Sequence, residues 1–240
     1  MINTNLILNI YEKKSLRSKL SSQLLYGDKF KIIKKYKDYF KIKTSYDRYI
    51  GFIKKKKIVK NFKLTHKVCN LKANLYSKPN YKSKLNKQIS FCSSIKVTRI
   101  IGDYYNFENY WIKKKDVVTI KKKNKPFNKI KIFKNVKYKW GGTSFNGIDC
   151  SALVQIFYKF NNLYCPRDTI DQIKYFKNKT KKFKKNSLIF WKGHVAICIS
   201  KQKLIHAYGP KKKVLIMPIM ITIKKIKKTA KLEVKKVCNI

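Results

Sequence analysis

The sequence predicts an α+β protein, with two small all-β barrels followed by a domain in which helices precede a meander of strands. Three observations predict it. The first 118 or so residues read as two copies of one short-stranded unit. Residues 121–129 form a basic, proline-interrupted stretch. Beyond about 129 the apolar spacing becomes helical first and strand-like afterwards.

The two copies align on a shared pattern. Phe30–Asp38 (FKIIKKYKD) and Ile95–Asp103 (IKVTRIIGD) carry β-type residues ending in the same aspartate, each followed by an aromatic pair, Tyr39-Phe40 and Tyr104-Tyr105. Gly51-Phe52-Ile53-Lys54 then answers Tyr110-Trp111-Ile112-Lys113. Alternation such as Phe30/Ile32 and Phe40/Ile42 gives each strand one buried face, and Gly27-Asp28, Ser45-Tyr46-Asp47 and Gly102-Asp103 supply the turns. Units of roughly 55 to 60 residues of short strands suggest small barrels over 1–60 and 61–120.

Lys121–Lys129 (KKKNKPFNK) reads as a linker, which leaves 130–240 as the last domain. There, Ile130–Lys137 is a short helix candidate. Ser151–Phe160 is a stronger one, with Leu153, Val154, Phe157 and Phe160 on one face. Asp168 can cap a further helix with Ile170, Ile173 and Phe176 as its apolar face. Strands are expected at Ser187–Trp191, His194–Ser200, Leu204–Tyr208, Val214–Met217 and Leu232–Val237.

Charge points elsewhere. The net charge of +49 suggests partners bearing phosphate. Yet only four of the 60 basic residues are arginines (Arg17, Arg48, Arg99, Arg167), although arginine is the residue of bidentate phosphate and base contacts. The lysines are spread over the whole chain, and Lys, Ile, Asn, Tyr and Phe are high together, a nucleotide bias that solvated faces tolerate. No specific nucleic acid is expected. None of the six cysteines (Cys69, Cys92, Cys150, Cys165, Cys198, Cys238) forms a Cys-x-x-Cys pair or a zinc-finger spacing, so no metal or cofactor is expected. The N-terminus makes a poor signal peptide and no apolar run reaches the ~20 residues that span a bilayer. A reduced cytoplasmic setting fits, with export by a non-standard route left open.

The chemistry concentrates around Cys150. It sits at the start of a helix, where unpaired N–H groups and the dipole favour a thiolate. Such a nucleophile needs a base, and the base an orienting group. Two histidines follow, His194 opening one strand and His206 in the next. They share a sheet face only if the loop between the strands holds an odd number of residues or a bulge intervenes. A three-residue loop at 200–202 would make them diagonal neighbours. The other five cysteines read as small buried hydrophobes and His66 as a surface residue of the connection between the copies. Of the four acids in the last 118 residues, Asp149, Asp168 and Asp171 lie close to Cys150 in sequence. Asp168 and Asp171 suit a helix start; Asp149 has no such explanation.

These residues carry a resemblance. YKWGG…GIDCSALV, then PRDTIDQ, then HVAICIS…LIHA resemble the NlpC-type cell-wall peptidase family, over roughly residues 130–220. The resemblance implies a papain-like fold for the last domain and bacterial Src-homology-like barrels before it. It implies Cys150 as nucleophile, His194 as general base and His206 as the orienting residue. Tyr138 and Trp140 would help form the oxyanion site and substrate wall. Asp149 and Ser151 would bind the free amino end of the peptide, and Asp168 and Thr169 would lie at the substrate-contacting segment. Where the family has glycine after Cys-Ser, this chain has Ala152; where it has Gly-Asp before the histidine strand, this chain has Asn186-Ser187.

The resulting expectation is a cysteine endopeptidase acting on murein peptides or peptidoglycan, at the γ-D-Glu–diamino acid bond, through a thioester. Two rivals stand beside it: an amidase or acyltransferase on another amide or ester, and an inactive cationic module that binds anionic polymer.

Overall fold

A computed structural model describes residues 1–56 and 62–240. The chain divides into two compact units, unit 1 (Met1–Lys123 with Thr143–Phe145) and unit 2 (Asn124–Gly142 with Asn146–Ile240). The expected boundary at 60/61 lies outside the described residues.

Unit 1 is all β apart from single 3-10 turns. Its first sheet contains β1 (Ile7–Tyr11), β2 (Leu20–Leu25), β3 (Phe30–Lys35), β4 (Tyr39–Thr44) and β5 (Ile50–Lys54), in the order β2-β1-β5-β4-β3. Alternating side chains from these strands, Leu8, Ile10, Leu24, Phe30, Ile42 and Ile53, close one core. The following strands are β6 (His66–Val68), β7 (Lys72–Tyr76), β8 (Lys84–Ser90), β9 (Ser94–Ile95), β10 (Arg99–Ile101), β11 (Tyr104–Phe107), β12 (Tyr110–Lys113) and β13 (Val117–Thr119). They form a five-stranded sheet, β10-β11-β12-β7-β8, and a three-stranded one, β13-β6-β9. Their core is built on Val68, Leu75, Ile89, Ile95, Phe107 and Ile112.

The repeat is visible in the pairing. Tyr39 lies opposite Lys54 and Phe40 opposite Ile53; Tyr104 lies opposite Lys113 and Tyr105 opposite Ile112. The copies differ within Ile95–Asp103, where strand structure stops after Ile95 and resumes at Arg99, whereas Phe30–Lys35 is one strand. The recorded strand orders are open five-stranded sheets rather than closed rings. His66 is a half-buried strand residue, its Nδ1 2.9 Å from Thr65 Oγ1 and its ring 5.0 Å from Tyr105, and not a surface one.

After the two-residue strands β14 (Thr143–Ser144) and β15 (Gly147–Ile148), unit 2 places α1 (Cys150–Phe160) and α2 (Thr169–Tyr175) ahead of β16 (Leu188–Trp191), β17 (His194–Cys198), β18 (Lys203–Tyr208) and β19 (Lys213–Pro218). Then come α3 (Ile219–Ala230) and β20 (Lys236–Cys238), and the sheet runs β19-β18-β17-β16-β20. The protein is therefore α+β. Its 3-10 turn at Ile130–Phe133 replaces the longer helix expected there, and Ile130 and Phe133 anchor it in the interior.

Two helices depart from expectation. Every residue of α1 except Lys159 is buried, so this helix is central rather than one-faced. In α2 the buried side chains are Thr169 and Gln172, while Ile170 is 66% exposed. The cause is Gln172, whose amide donates to the carbonyls of Ser151 and Pro166 at 2.9 Å each and so fixes which face turns inward. The third helix, α3, was not foreseen. Its lysines hid a stripe of Ile219, Thr222 and Ile226 against the sheet.

Candidate active site

The site is assembled at the N-terminus of α1. Asp149 is the N-cap, with extended backbone and its carboxylate accepting from the Ala152 N–H at 2.8 Å. That is the explanation the sequence reading lacked. The same carboxylate accepts from Gly141 N–H at 2.9 Å, from Ser151 Oγ at 3.2 Å and from both terminal nitrogens of Arg167 at 3.1 and 2.6 Å. Arg167 also donates to Ser151 Oγ at 3.0 Å. Five donors fill the roughly four lone-pair sites of a carboxylate. Asp149 and Ser151 are thus both bonded within the helix start.

Two glycines let the backbone reach this geometry. At Gly142 a Cβ would strike the Gly147 carbonyl, so only glycine lets the 139–142 turn close on Gly147. Gly142 O then accepts from Asp149 N–H at 3.2 Å. Gly193, at φ +72°, forms with Lys192 the two-residue hairpin between β16 and β17. Asn186, at φ +73°, takes the left-handed position of the preceding turn, a conformation asparagine tolerates. Ser187 Oγ accepts there from Lys184 N–H and donates to Asn239, so the turn survives the exchange of Gly-Asp for Asn-Ser.

Cys150 is the first residue of α1 and only 7% exposed. Its Sγ lies 3.9 Å from the Gly193 carbonyl and 4.0 Å from Thr169 Oγ1, and the Val195 backbone N–H also hydrogen-bonds it. Both chain neighbours of His194 therefore touch the sulfur. Across the β17–β18 ladder Ile197 faces Ile205 and Cys198 faces Leu204, and the Ile199 N–H donates to the Lys203 carbonyl at 2.9 Å, which leaves 200–202 as the connecting loop. The odd loop required by the sequence reading is present, and His194 and His206 are diagonal neighbours on one face. His194 Nε2 lies 2.9 Å from His206 Nδ1. His206 is fully buried and stacks on Tyr208, ring centroids 4.8 Å apart.

Burial dominates the electrostatics. It pushes the Cys150 thiol up to about 11, with the Asp149 charge adding to the rise, against the smaller opposing pull of Val195 N–H, Thr169 and Arg167. It drives His194 down to about 4, and His206, with His194 beside it, down to about 3. The helix start alone therefore does not yield a thiolate. Burial therefore favours the neutral thiol and the neutral imidazoles.

Tyr138 is half-buried, with its ring under Gly209. Burial, with Cys150 and Asp149 next in order, pushes its phenol up to about 12, which keeps it a hydrogen-bond donor. Trp140 is 64% exposed, and Asp168 is half-buried next to Thr169. The Asp168 side chain does not cap α2; its carbonyl takes the Asp171 and Gln172 N–H groups instead. Arg167 and Gln172 were missed as site residues. The signal was their place in PRDTIDQ, and in Arg167 an arginine where lysine is the rule. The remaining five cysteines are buried thiols, as expected. Among the described residues no group of three or more His, Cys, Asp or Glu side chains is placed to hold a metal ion, and no helix is long and apolar enough to cross a membrane.

The chain is similar to known proteins. The profile of the NlpC/P60 family matches residues 135–229. The γ-D-glutamyl-L-lysine dipeptidyl-peptidase of Bacillus cereus is 26% identical over 84% of this chain and 71% of its own length. A protein of Haemophilus influenzae named "Probable endopeptidase" is 38% identical over 29% of this chain and 49% of its own. In fold, a solved NlpC/P60 family protein from Bacillus cereus superposes with a TM-score of 0.84 at 21% identity, covering 99% of this chain and 98% of that one.

Proposed function

We propose that this chain, whose residues 135–229 match the NlpC/P60 family, hydrolyses the γ-D-Glu–diamino acid bond of short murein peptides through Cys150, His194 and His206. The observation that carries the proposal is the buried Cys150 at the start of α1, held between Gly193 O and Val195 N, the two backbone neighbours of an imidazole that is itself bonded to His206. The bond named draws support from the likeness to the γ-D-glutamyl-L-lysine dipeptidyl-peptidase.

In this reading His194 takes the thiol proton on Nδ1, because its Nε2 is engaged with His206. The sulfur attacks the γ-carbonyl carbon, and the oxyanion is met by the first-turn amide of Cys150 and the Tyr138 hydroxyl. Collapse expels the diamino acid's amine, which takes its proton from His194. Water, deprotonated by the same imidazole, then releases the thioester. Since Asp149 is saturated, the half-buried carboxylate of Asp168 is the group assigned to the peptide's free ammonium, with the Thr169 hydroxyl beside the reacting sulfur and the exposed Trp140 indole as a wall.

Digestion of defined murein tri- and tetrapeptides, read by mass spectrometry, tests this. Release of the dipeptide ending in D-Glu, lost in Cys150→Ala and His194→Ala, is the expected result. Cleavage at another bond overturns the assignment of the bond, and undiminished cleavage in Cys150→Ala overturns the site.

A further inference from the structure

Side chains from one short segment of unit 2 touch consecutive residues at the start of α1. Arg167 donates to the Asp149 carboxylate at 2.6 and 3.1 Å, the Thr169 hydroxyl lies 4.0 Å from Cys150 Sγ, and the Gln172 amide donates to the Ser151 carbonyl at 2.9 Å. The outer two contacts hold the chain. The middle one falls on the reacting atom.

The sequence fixes where that hydroxyl points. Asp168 is extended, at φ −99° and ψ 147°, and turns the chain into α2, of which Thr169 is the first residue. Thr169 and Gln172 lie about one helical turn apart and share the inward face, while Ile170 and Asp171 between them are exposed. Gln172 is fully buried, and its amide nitrogen donates to two carbonyls, those of Ser151 and Pro166. These bonds set the rotation of α2 about its axis, and with it the direction of Thr169. A β-branched side chain is stiff about χ1, so a fixed backbone leaves its hydroxyl few places to go. Among the described residues the hydrogen-bond partner of that hydroxyl is the Cys150 sulfur and no other.

A neutral thiol gains little from such a neighbour, because its sulfur is a weak acceptor and 4.0 Å is a long contact. The thiolate is different. Cys150 is only 7% exposed, so the anion formed when its proton leaves finds little water. Fixed donors must replace that water. Among the described residues the donors at the sulfur are the Val195 N–H and the Thr169 hydroxyl, and both pull the thiol's value back down against burial. The Gly193 carbonyl, at 3.9 Å, accepts from the thiol and offers the anion nothing. A hydrogen bond to an ionised acceptor is about twice as strong as one between neutral groups. The contact therefore strengthens as the nucleophile forms and weakens once sulfur enters a thioester. Interactions that strengthen on the way to the transition state are the ones that raise kcat.

We propose that Thr169 is a further catalytic residue of this site: its hydroxyl donates to the Cys150 sulfur while the thiol proton passes to His194, and Gln172 is the positioning residue that holds it there. The proposal rests on the reading of Cys150 as nucleophile. The proton moves from sulfur to Nδ1 of His194, the electron pair stays on sulfur, and the Thr169 O–H bond remains intact. A hydroxyl that only contacted substrate would have no effect before substrate binds. This one acts on the free enzyme.

Iodoacetamide labelling of the full chain at pH 8 without substrate, read by mass spectrometry of each cysteine-containing peptide, isolates that step. Thr169→Val keeps the shape and removes the hydroxyl, and is expected to slow labelling of Cys150 about 10-fold. Thr169→Ser restores the donor and is expected to label within about 3-fold of wild type. With the murein tripeptide, Thr169→Val should lower kcat about 10-fold and change KM by less than about 2-fold. Gln172→Leu is expected to slow Cys150 labelling by a similar factor. Added to Thr169→Val it should cost less than about 2-fold more, because it acts through that hydroxyl. The remaining five buried thiols are the control for folding and should label as in wild type. If they speed up in Thr169→Val, Thr169→Ala takes its place with the same expected loss. Undiminished labelling of Cys150 without the hydroxyl, or an equal loss in Thr169→Ser, overturns the proposal. The expected labelling pattern in a chain that cleaves no murein peptide supports Thr169 and overturns the substrate instead.

Discussion

His194 Nε2 and His206 Nδ1 lie 2.9 Å apart. For His194 to accept a proton on Nδ1, its Nε2 must donate, which puts the proton of His206 on Nε2. Among the described residues that atom is buried with no hydrogen-bond partner. The tautomer that the proposed mechanism requires therefore leaves one buried N–H unmatched, at a cost of about 1–3 kcal/mol. His206→Ala is expected to lower kcat by roughly 100-fold with little change in KM, because what is lost is orientation of the base. His206→Asn should recover part of that. Equal kcat in His206→Ala and wild type would remove His206 from the site.

The pH profile follows from the neutral resting pair. His194, lowered by burial to about 4, can act as a base only when unprotonated. The acid limb of kcat/KM is therefore expected near pH 4, with activity present above it and lost as pH falls through it. Alkylation of Cys150 by iodoacetamide should keep accelerating toward its thiol value of about 11, without a plateau at neutral pH. A plateau from pH 5 upward would reveal a thiolate–imidazolium pair instead.

Stability has the same sign. A histidine whose folded value is depressed contributes stability above its ordinary 6.5, and that contribution is lost as pH falls from there toward 4. Denaturant midpoints should decline across that window, and the decline should be smaller in His206→Ala. An identical slope in both proteins would count against the buried histidine pair as its cause.

Arg167 and Asp149 form an ion pair whose side chains are 2% and 9% exposed. Removing one partner strands the other, so Arg167→Met is expected to destabilise by about 3–5 kcal/mol in urea unfolding. Arg167→Lys should also be costly, since an ammonium cannot reproduce contacts to both carboxylate oxygens and to Ser151. A loss below about 1 kcal/mol for Arg167→Met would mean the pair does not hold the start of α1.

The proposed function assigns the substrate's amino end to Asp168. Asp168→Asn is expected to raise KM for a free-amine tripeptide roughly 10-fold or more, while barely changing turnover of the N-acetylated peptide. Equal effects on both substrates would assign Asp168 a structural role.

The sequence made the repeat, the helix start at Cys150 and the histidine register legible, because each rests on local periodicity or on loop parity. It concealed what depends on long-range partners. The N-cap role of Asp149 is local and was overlooked, but its ion-pair partner, Arg167, is 18 residues away and was hidden. Ile170 looked buried because nothing local announces the Gln172 bonds to Ser151 and Pro166. The stripe of α3 was masked by lysines on its other faces. The thiol's high value could not be read from a helix N-terminus, since burial is a property of the packed domain and outweighs the dipole.

The central claim is that Cys150 carries the acyl group of the peptide. Rapid acid quench of wild-type protein with L-Ala-γ-D-Glu-diamino acid, followed by proteolysis and mass spectrometry, tests it directly. The account predicts an L-Ala-D-Glu acyl group on the peptide containing Cys150, absent in Cys150→Ala. Steady turnover with no adduct at Cys150, and undiminished in Cys150→Ala, would contradict it.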